Sequence, residues 1–180
     1  MSEEKHSEHV LGDEQKTQGS RMLTIWVDAD SIPRDIRPFL IRRALAPRNY
    51  EGTRVSVLFV AARAPADLPR EFLVLVEPSE GAADRYIETH AASLDIVVTR
   101  DIPMAERLIQ RSVYVVNDKG DIFTAENVGE RRSIRDAMAT LRAAGLAPPS
   151  PKGSRRSASE TKRFADALER LIVRAVRAKV

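Results

Sequence analysis

Residues 22–33 read MLTIWVDADSIP, and this stretch decides the fold together with DIVVTRDIPMAERLI at 95–109. In each stretch a short apolar run ends at polar residues, and a proline follows within a few positions. A continuous apolar run of this length is typical of a strand that is buried on both faces of a sheet. Proline is favoured in the first turn of a helix. Both stretches therefore predict a buried strand that leads directly into a helix.

The same alternation continues along the rest of the chain. Further apolar runs predict strands at 55–61, 72–77 and 113–116. Apolar residues at helical spacing predict helices at 33–45, 82–93, 102–111, 125–144 (one or two helices) and 159–178. Pro38 lies inside the first of these helices and predicts a later or kinked start. The alternation is typical of an α/β protein, so we predict three layers, α/β/α, with a mostly parallel central sheet and additional C-terminal helices.

The length of 180 residues suits one domain with flanking tails. Residues 1–21 are almost entirely polar and predict a disordered tail. The remainder, 22–180, predicts a single domain. Within it, the run PPSPKGS at 148–154 predicts a linker, and 159–178 predicts a basic C-terminal helix.

The composition excludes several classes of protein. The chain contains no Cys, which excludes disulfides, thiolate zinc sites and cysteine nucleophiles. No apolar run approaches the ~20 residues that a membrane helix needs, and residues 1–21 lack the apolar core of a signal peptide. We therefore expect a cytoplasmic protein with no membrane partner. The glycine-rich nucleotide-binding loops and the nucleophile elbow of the α/β hydrolases are also absent from the sequence.

The charge of the chain is concentrated at its C-terminal end. Residues 152–180 carry nine Lys or Arg against three acidic residues, whereas the whole chain has a net charge of only +3. A near-neutral body with a basic end suits a polyanionic partner such as nucleic acid. A solvated helix face explains the same charges without any partner.

Acidic residues follow the predicted strands at the points where they end. Asp28 and Asp30 follow the first strand, Asp101 follows the strand at 95–99, and Asp84 lies near the start of the helix between them. The carboxyl ends of parallel strands meet at one edge of a sheet, which is where such sheets bind ligands. Converging carboxylates repel one another, and Mg²⁺ or Mn²⁺ relieves this repulsion. Asp95 begins its strand, so we expect it at the opposite edge as a turn residue.

Each of these residues also has a purely structural interpretation. Asp is favoured at the N-cap of a helix, and both Asp30 and Asp101 precede a predicted helix that begins with a proline. For any one of them a cap is sufficient explanation. The combination of an Asp-x-Asp after one strand and a Thr-x-Asp after a later strand favours a site.

The segments WVDADSIP (26–33), GAADRYI (81–87) and DIVVTRDIPMAERLI (95–109) together resemble the YaiI/YqxD family of small bacterial proteins. The resemblance covers about residues 22–172, and RFADALERL (163–171) resembles the final helix of that family. The family is largely uncharacterised and is assigned a PIN-like nuclease fold. The resemblance therefore implies a ribonuclease that depends on Mg²⁺ or Mn²⁺.

The resemblance also implies individual roles. Asp28 corresponds to the ligand after the first strand, Asp101 to the ligand of the Thr-x-Asp segment, and Asp84 to the ligand at the helix start. Asp30 is a fourth member of the catalytic group or a residue that supports the others. PIN-type domains commonly form homodimers, so a homodimer is also implied, and the sequence gives no sign of an antitoxin partner.

This chain departs from the family pattern at three places. Gly81 occupies a position where the family usually has a further Asp, and the adjacent Glu80 is a possible compensating acid. Ile32 replaces a Cys of the family motif, so the chemistry does not need a thiol. The turn at 118–120, Asp-Lys-Gly, replaces the usual Pro-Arg-Gly.

The leading hypothesis is a metal-dependent phosphodiesterase that acts on RNA or single-stranded nucleic acid, with Asp28, Asp84 and Asp101 holding the metal. Arg100 or Lys119 then neutralises the scissile phosphate. The residues expected to bind substrate are Thr99, Arg100, Lys119, Lys152, Arg155 and Arg156. Further contacts to the nucleic-acid backbone are expected from Lys162 and Arg163.

Two alternatives remain open at this stage. The first is a non-catalytic module that binds nucleic acid or regulates another protein, which the Gly81 departure favours. The second is a phosphatase of the haloacid dehalogenase type, with Asp28 as nucleophile and Asp30 as acid and base. That superfamily needs a Lys before a later acidic cluster, and residues 95–109 contain none.

Overall fold

The central sheet contains the predicted strands and two short ones. The structure is a computed structural model that describes residues 21–146 and 156–178; the predicted tail, apart from Arg21, and the linker at 148–154 lie outside the described residues. The strands are β1 (Arg21–Asp28), β2 (Asn49–Tyr50), β3 (Thr53–Ala61), β4 (Leu73–Leu75), β5 (Ile96–Val98), β6 (Tyr114–Val116) and β7 (Ile122–Phe123). Their order is β2-β3-β1-β5-β6-β7, and β4 also pairs with β3.

Helices cover both faces of this sheet. They are α1 (Arg37–Leu45), α2 (Ala82–His90), α3 (Ile102–Gln110), α4 (Ala125–Ala143) and α5 (Ala158–Ala178). Helices α1 and α5 contribute to the core on one face, and α2, α3 and α4 contribute to the core on the other. The prediction of an α/β protein with three layers and a mostly parallel sheet is confirmed. In the described part of the chain, no helix has the length and apolar character needed to cross a membrane.

Successive side chains of the central strands lie on opposite faces of the sheet, so each strand contributes to two cores. Ile25 and Val27 belong to the core under α1 and α5, whereas Trp26 belongs to the core on the opposite face. The same division separates Ile96 and Val98 from Val97 in β5. Because strands buried on both faces need apolar side chains at every position, these runs are continuous rather than alternating.

Four strand pairs are parallel and two are antiparallel. β1 pairs in parallel with β3 and β5, β3 pairs in parallel with β4, and β5 pairs in parallel with β6. The short strands β2 and β7 pair antiparallel with β3 and β6. These two strands have only two residues each, too few for a periodic pattern, and the sequence did not predict them.

Prolines account for two differences between the predicted and observed elements. Pro38 occupies the first turn of α1, and a 3₁₀ turn at Arg34–Ile36 precedes that helix. The strand predicted at 72–77 is reduced to Leu73–Leu75 because a second 3₁₀ turn, capped by Pro69, includes Phe72. Each proline fixes its own backbone angle and favours the tight turn locally.

Asp95 lies at the amino edge of the sheet, as predicted, but it is more than a turn residue. Its side chain is buried and accepts hydrogen bonds from the Trp26 indole, at 3.1 Å, and from the backbone N–H of Thr24, at 3.2 Å. It also accepts from the backbone N–H of Ala92. Asp95 therefore ties the start of β5 to the middle of β1.

A glycine allows close approach between the turn after β6 and helix α5. Gly120 has a φ of +83°, and a Cβ at this position would lie 2.8 Å from the carbonyl oxygen of Arg163. Gly52 has a similar φ of +79°, but a Cβ there would meet no atom within 4 Å. Substitutions at the two positions therefore distinguish the free-energy cost of a left-handed backbone from the cost of a steric clash.

We expect Gly120→Ala to lower the free energy of unfolding by about 2–4 kcal/mol, because it adds a backbone clash to left-handed strain. Gly52→Ala should cost only about 1 kcal/mol, since strain acts there alone. Urea unfolding of both variants measures the difference. Equal losses would mean that the contact between Gly120 and α5 contributes nothing.

Candidate functional site

The four predicted carboxylates meet at the carboxyl edge of the sheet. A pocket of about 250 Å³ is lined by Asp28, Asp30, Asp84 and Asp101. Its remaining wall comes from small residues: Ser31, Ala62, Ser79, Gly81, Ala82 and Ala83. The parallel pairing of β1 with β5 aligns Val27 with Val98, so the residues that follow the two strands lie side by side at the carboxyl edge of the sheet.

Asp28 is the buried member of this group. Its side chain is almost completely inaccessible to solvent. The Thr99 hydroxyl donates to Oδ2 at 2.7 Å, and the backbone N–H of Ser31 donates to Oδ1 at 3.3 Å. Burial raises the pKa of Asp28 above its ordinary value, although both hydrogen-bonding partners act to lower it. The site therefore holds a carboxylate whose charge is costly.

Thr99 connects Asp28 to Asp101. Its hydroxyl oxygen accepts a hydrogen bond from the backbone N–H of Asp101 at 3.0 Å, and the same hydroxyl donates a hydrogen bond to Asp28. Asp101 is the N-cap of α3, and its Oδ1 accepts from the backbone N–H of Met104 at 2.6 Å. Thr99 was predicted to bind substrate, but it is fully buried. Its contacts position the two carboxylates.

Asp84 lies in the first turn of α2 and is half-buried. Within residues 21–146 and 156–178 no group donates a hydrogen bond to it. Burial, together with the charges of Asp28, Asp101 and Glu88, raises the pKa of Asp84 from 3.8 to about 6. The nearby Arg107 lowers it, but Arg107 is bound to Glu88. Asp84 is therefore a carboxylate with neither an ion pair nor a hydrogen-bond donor in the described part of the chain.

The other two acidic candidates lie at the rim. Asp30 is exposed, and its Oδ2 accepts from the backbone N–H of Ala62 at 2.8 Å, which ties the end of β1 to the end of β3. Glu80 is exposed and is not among the residues that line the pocket. Its backbone carbonyl accepts from Arg85. Gly81 has a left-handed φ of +66° as the N-cap of α2.

The predicted cations have different environments. Arg100 binds Asp118 through two nitrogens, at 2.6 and 3.0 Å. The Arg156 side chain is only 7% exposed and bridges Asp118 and Asp35. Lys119 is exposed. Lys152 and Arg155 lie outside the described residues. The structure therefore brings Arg100, Lys119 and Arg156 together around one turn, beside the pocket rather than within it.

Asp118 is the acid that holds these arginines. It is buried, with 1% of its surface exposed. Burial acts to raise the pKa of Asp118, but hydrogen bonds from Arg100 and Arg156 outweigh it and hold the pKa below its ordinary value. This pairing has no local sequence pattern, because Asp118 and Arg156 are 38 positions apart.

Ser31 is a second contributor to the site that was not predicted from the sequence. Its hydroxyl lies 3.2 Å from the Thr99 hydroxyl and accepts from the backbone N–H of Arg100 at 3.1 Å. It therefore joins the turn after β1 to the turn after β5. Its place directly after the Asp-x-Asp, at a strand-to-helix turn, was the available signal.

The donors suit a hard divalent cation. Among the residues that the structure describes, no three His, Asp or Glu side chains are already arranged to hold a metal ion. The chemistry of the group nevertheless fits Mg²⁺ or Mn²⁺, because these ions prefer carboxylate oxygens. Asp28, Asp84 and Asp101 are the residues that would hold it. The raised pKa of Asp84, beside two other carboxylates that line the same pocket, is the observation that supports this fit.

We expect Asp84→Asn to stabilise the metal-free protein at neutral pH. The pKa of about 6 in the folded protein exceeds the ordinary 3.8, so stability falls as the pH rises between these values. The Asn variant avoids this loss. It should gain about 1 kcal/mol at about pH 7.5, after allowance for solvent around a half-exposed side chain.

Urea unfolding in EDTA at about pH 7.5 and about pH 4 measures this gain, which should disappear at the lower pH. Asp136→Asn is the control, because Asp136 is exposed on α4 and away from the pocket. An Asp84 variant no more stable than the wild type at the higher pH would contradict the expected repulsion.

Comparison with known proteins places the chain in a family. The model of the "Uncharacterized BCR, YaiI/YqxD family" matches residues 26–174. A UPF0178 protein of Treponema pallidum is 43% identical over 153 residues, which cover 82% of this chain and 80% of that protein. A UPF0178 protein of Geobacter metallireducens is 38% identical over 157 residues, covering 86% and 96%. No solved structure matches the chain significantly. The chain belongs to the YaiI/YqxD family.

Proposed function

We propose that this protein is a nuclease that uses Mg²⁺ or Mn²⁺ to hydrolyse phosphodiester bonds in RNA or single-stranded nucleic acid. The observation that carries the proposal is the pocket that four carboxylates line, in which Asp84 has a pKa of about 6 and, among the described residues, neither an ion-pair partner nor a hydrogen-bond donor. Such a concentration of unpaired negative charge is costly unless a cation binds there. Perturbed pKa values in a pocket are typical of functional sites.

The chain holds its carboxylates with different rigidity. Asp28 is fixed by Thr99 and by the backbone of Ser31, and Asp101 is fixed as a helix cap. Asp84 has neither restraint. A divalent ion bound by these residues would polarise a phosphate and lower the pKa of water. The fixed pair would define where the ion binds, and Asp84 would adjust to it.

Arg100 is the residue best placed to meet the phosphate. It directly precedes Asp101, and its side chain is 47% exposed even while it binds Asp118. Asp118 restricts the rotamers of this long side chain, so less entropy is lost when a phosphate binds. Lys119 is exposed on the same turn and supplies a second charge.

A non-catalytic nucleic-acid-binding module is the second candidate. Two observations favour it: the described residues hold no ready-made metal cluster, and Gly81 stands at a position where the family resemblance implies an Asp. The third hypothesis, a phosphatase of the haloacid dehalogenase type, loses support because the residues that line the pocket include no Lys.

Cleavage of end-labelled single-stranded RNA in Mn²⁺, Mg²⁺ or EDTA tests the proposal. We expect cleavage that depends on the metal and that falls about 100-fold or more in Asp28→Asn and in Asp101→Asn. Asn retains helix-capping ability at position 101, so α3 should remain intact. Asp166→Asn, on exposed α5 surface, is the matched control.

The outcomes separate the two candidates. Metal-dependent cleavage that both pocket variants lose, and that the control keeps, supports the nuclease. RNA binding that persists in EDTA, with no cleavage in either metal, would support the binding module and overturn the proposal.

Thr99 offers a separate test as a positioning residue. Thr99→Val removes the hydroxyl that joins Asp28 to Asp101, and we expect kcat to fall about 10- to 100-fold with little change in KM. Thr99→Ser keeps the hydroxyl and should restore most of the rate. A Ser variant no faster than the Val variant would show that the hydroxyl has no role beyond packing.

A further inference from the structure

A second, larger depression lies beside the carboxylate pocket. It is a groove of about 780 Å³ between α4 and the segment that contains the start of α3 and the turn after β6. Five cationic side chains line it: Arg100, Lys119, Arg131, Arg135 and Arg142. We call this feature the α4 groove.

The cations of the α4 groove are only partly neutralised. Two acidic residues, Asp118 and Asp121, also line it. Asp118 is bound to Arg100 and Arg156, and Asp121 is bound to Arg131 and Arg163. Lys119 and Arg142 form no ion pair with the described part of the chain. The groove therefore has an excess of positive charge available to a ligand.

Apolar side chains accompany these charges. Ile102, Phe123, Ile134 and Met138 also line the groove. Ile134 is 57% exposed, and Met138 lies one turn further along the same helix. Within α4 only Val128 is fully buried, so this helix contributes most of its surface to the groove and to solvent. An exposed apolar strip flanked by cations is typical of a binding surface.

The groove and the carboxylate pocket are directly adjacent. Arg100 and Ile102 line the groove, whereas Asp101, the residue between them, lines the pocket. The groove and the pocket therefore share the turn that follows β5, and a ligand that extends past Arg100 lies next to Asp101.

We propose that the α4 groove binds single-stranded nucleic acid and leads it to the carboxylate pocket, with Lys119 and Arg142 on the phosphates and with Ile134 and Met138 against the bases. This deepens the proposed function and rests on it only for the chemistry at the end of the groove. An unpaired strand presents phosphates and flat apolar faces alternately. An acidic peptide would satisfy the cations but would leave the apolar strip without a partner.

Fluorescence anisotropy with a labelled single-stranded RNA oligonucleotide, in EDTA, measures binding without any cleavage. We expect Lys119→Gln/Arg142→Gln to weaken binding about tenfold or more. The double variant should also reduce the slope of log affinity against log salt by about 1.4, since each phosphate contact on a single strand contributes about 0.7.

Arg54→Gln/Arg177→Gln is the matched control. It removes the same charge from exposed positions at the start of β3 and the end of α5, and neither residue lines the groove. We expect its affinity and salt slope to stay close to those of the wild type. Equal losses in the two double variants would mean that only net charge matters, and would overturn the groove proposal.

Ile134→Asn tests the apolar part of the site. Ile134 is exposed, so its replacement should leave folding intact, while affinity falls about fivefold with the salt slope unchanged. Competition with polyglutamate gives a further test. We expect it to displace the RNA only at much higher concentration; displacement as effective as that by unlabelled RNA would identify a site for acidic peptides and overturn the proposal.

These measurements fail separately from those on the nuclease. Asp28→Asn should keep groove-dependent RNA binding in EDTA, at least as tight as that of the wild type, because Asp28 does not line the groove and its replacement removes a charge that repels phosphate. Groove-dependent binding without cleavage in any metal would overturn the nuclease and leave the groove proposal standing. Metal-dependent cleavage, together with unchanged RNA binding by the Lys119→Gln/Arg142→Gln variant, would overturn the groove proposal and leave the nuclease standing.

Discussion

Burial of the Asp28 carboxylate at the end of the central strand is the constraint on which the candidate site depends. β1 lies between β3 and β5, so a charge at its end is costly unless it is hydrogen-bonded. The β1–β5 register brings Thr99 next to Asp28, and the Thr99 hydroxyl donates the required hydrogen bond. The same oxygen then accepts from Asp101, which caps α3. One hydrogen-bonded chain therefore links the sheet register to the position of two carboxylates and of a helix.

The arginines near the pocket are bound by acids outside it. Arg100 is held by Asp118 and Arg107 by Glu88. If either guanidinium turned into the pocket, it would neutralise Asp84 and remove the electrostatic reason for a cation to bind. The pairing of these arginines elsewhere therefore preserves the negative potential of the pocket. The pKa of Asp84 therefore stays raised by its burial and by the charges of Asp28 and Asp101.

The sequence predicted the features that depend on neighbouring residues and missed those that depend on distant ones. Continuous apolar runs identified β1 and β5, and parallel topology then brought Asp28 and Asp101 to one edge. The role of Asp95 was underestimated because its partners Thr24 and Trp26 lie 71 and 69 positions away. The Asp118 cluster was missed for the same reason. Side-chain pairing across such separations has no local pattern, and two-residue strands such as β2 have none either.

The charges of the α4 groove and of the pocket are opposite, and in the proposed function this division would separate binding from chemistry. A carboxylate-lined pocket repels a phosphate until a cation occupies it, since like charges at short range oppose approach. The groove attracts the same polyanion whether or not a metal is present. Asp101 lies at the boundary, between Arg100 and Ile102, so a strand held in the groove experiences repulsion only at its last phosphate. In the proposed function, a metal would determine whether that phosphate enters, and the groove would determine which molecules reach it.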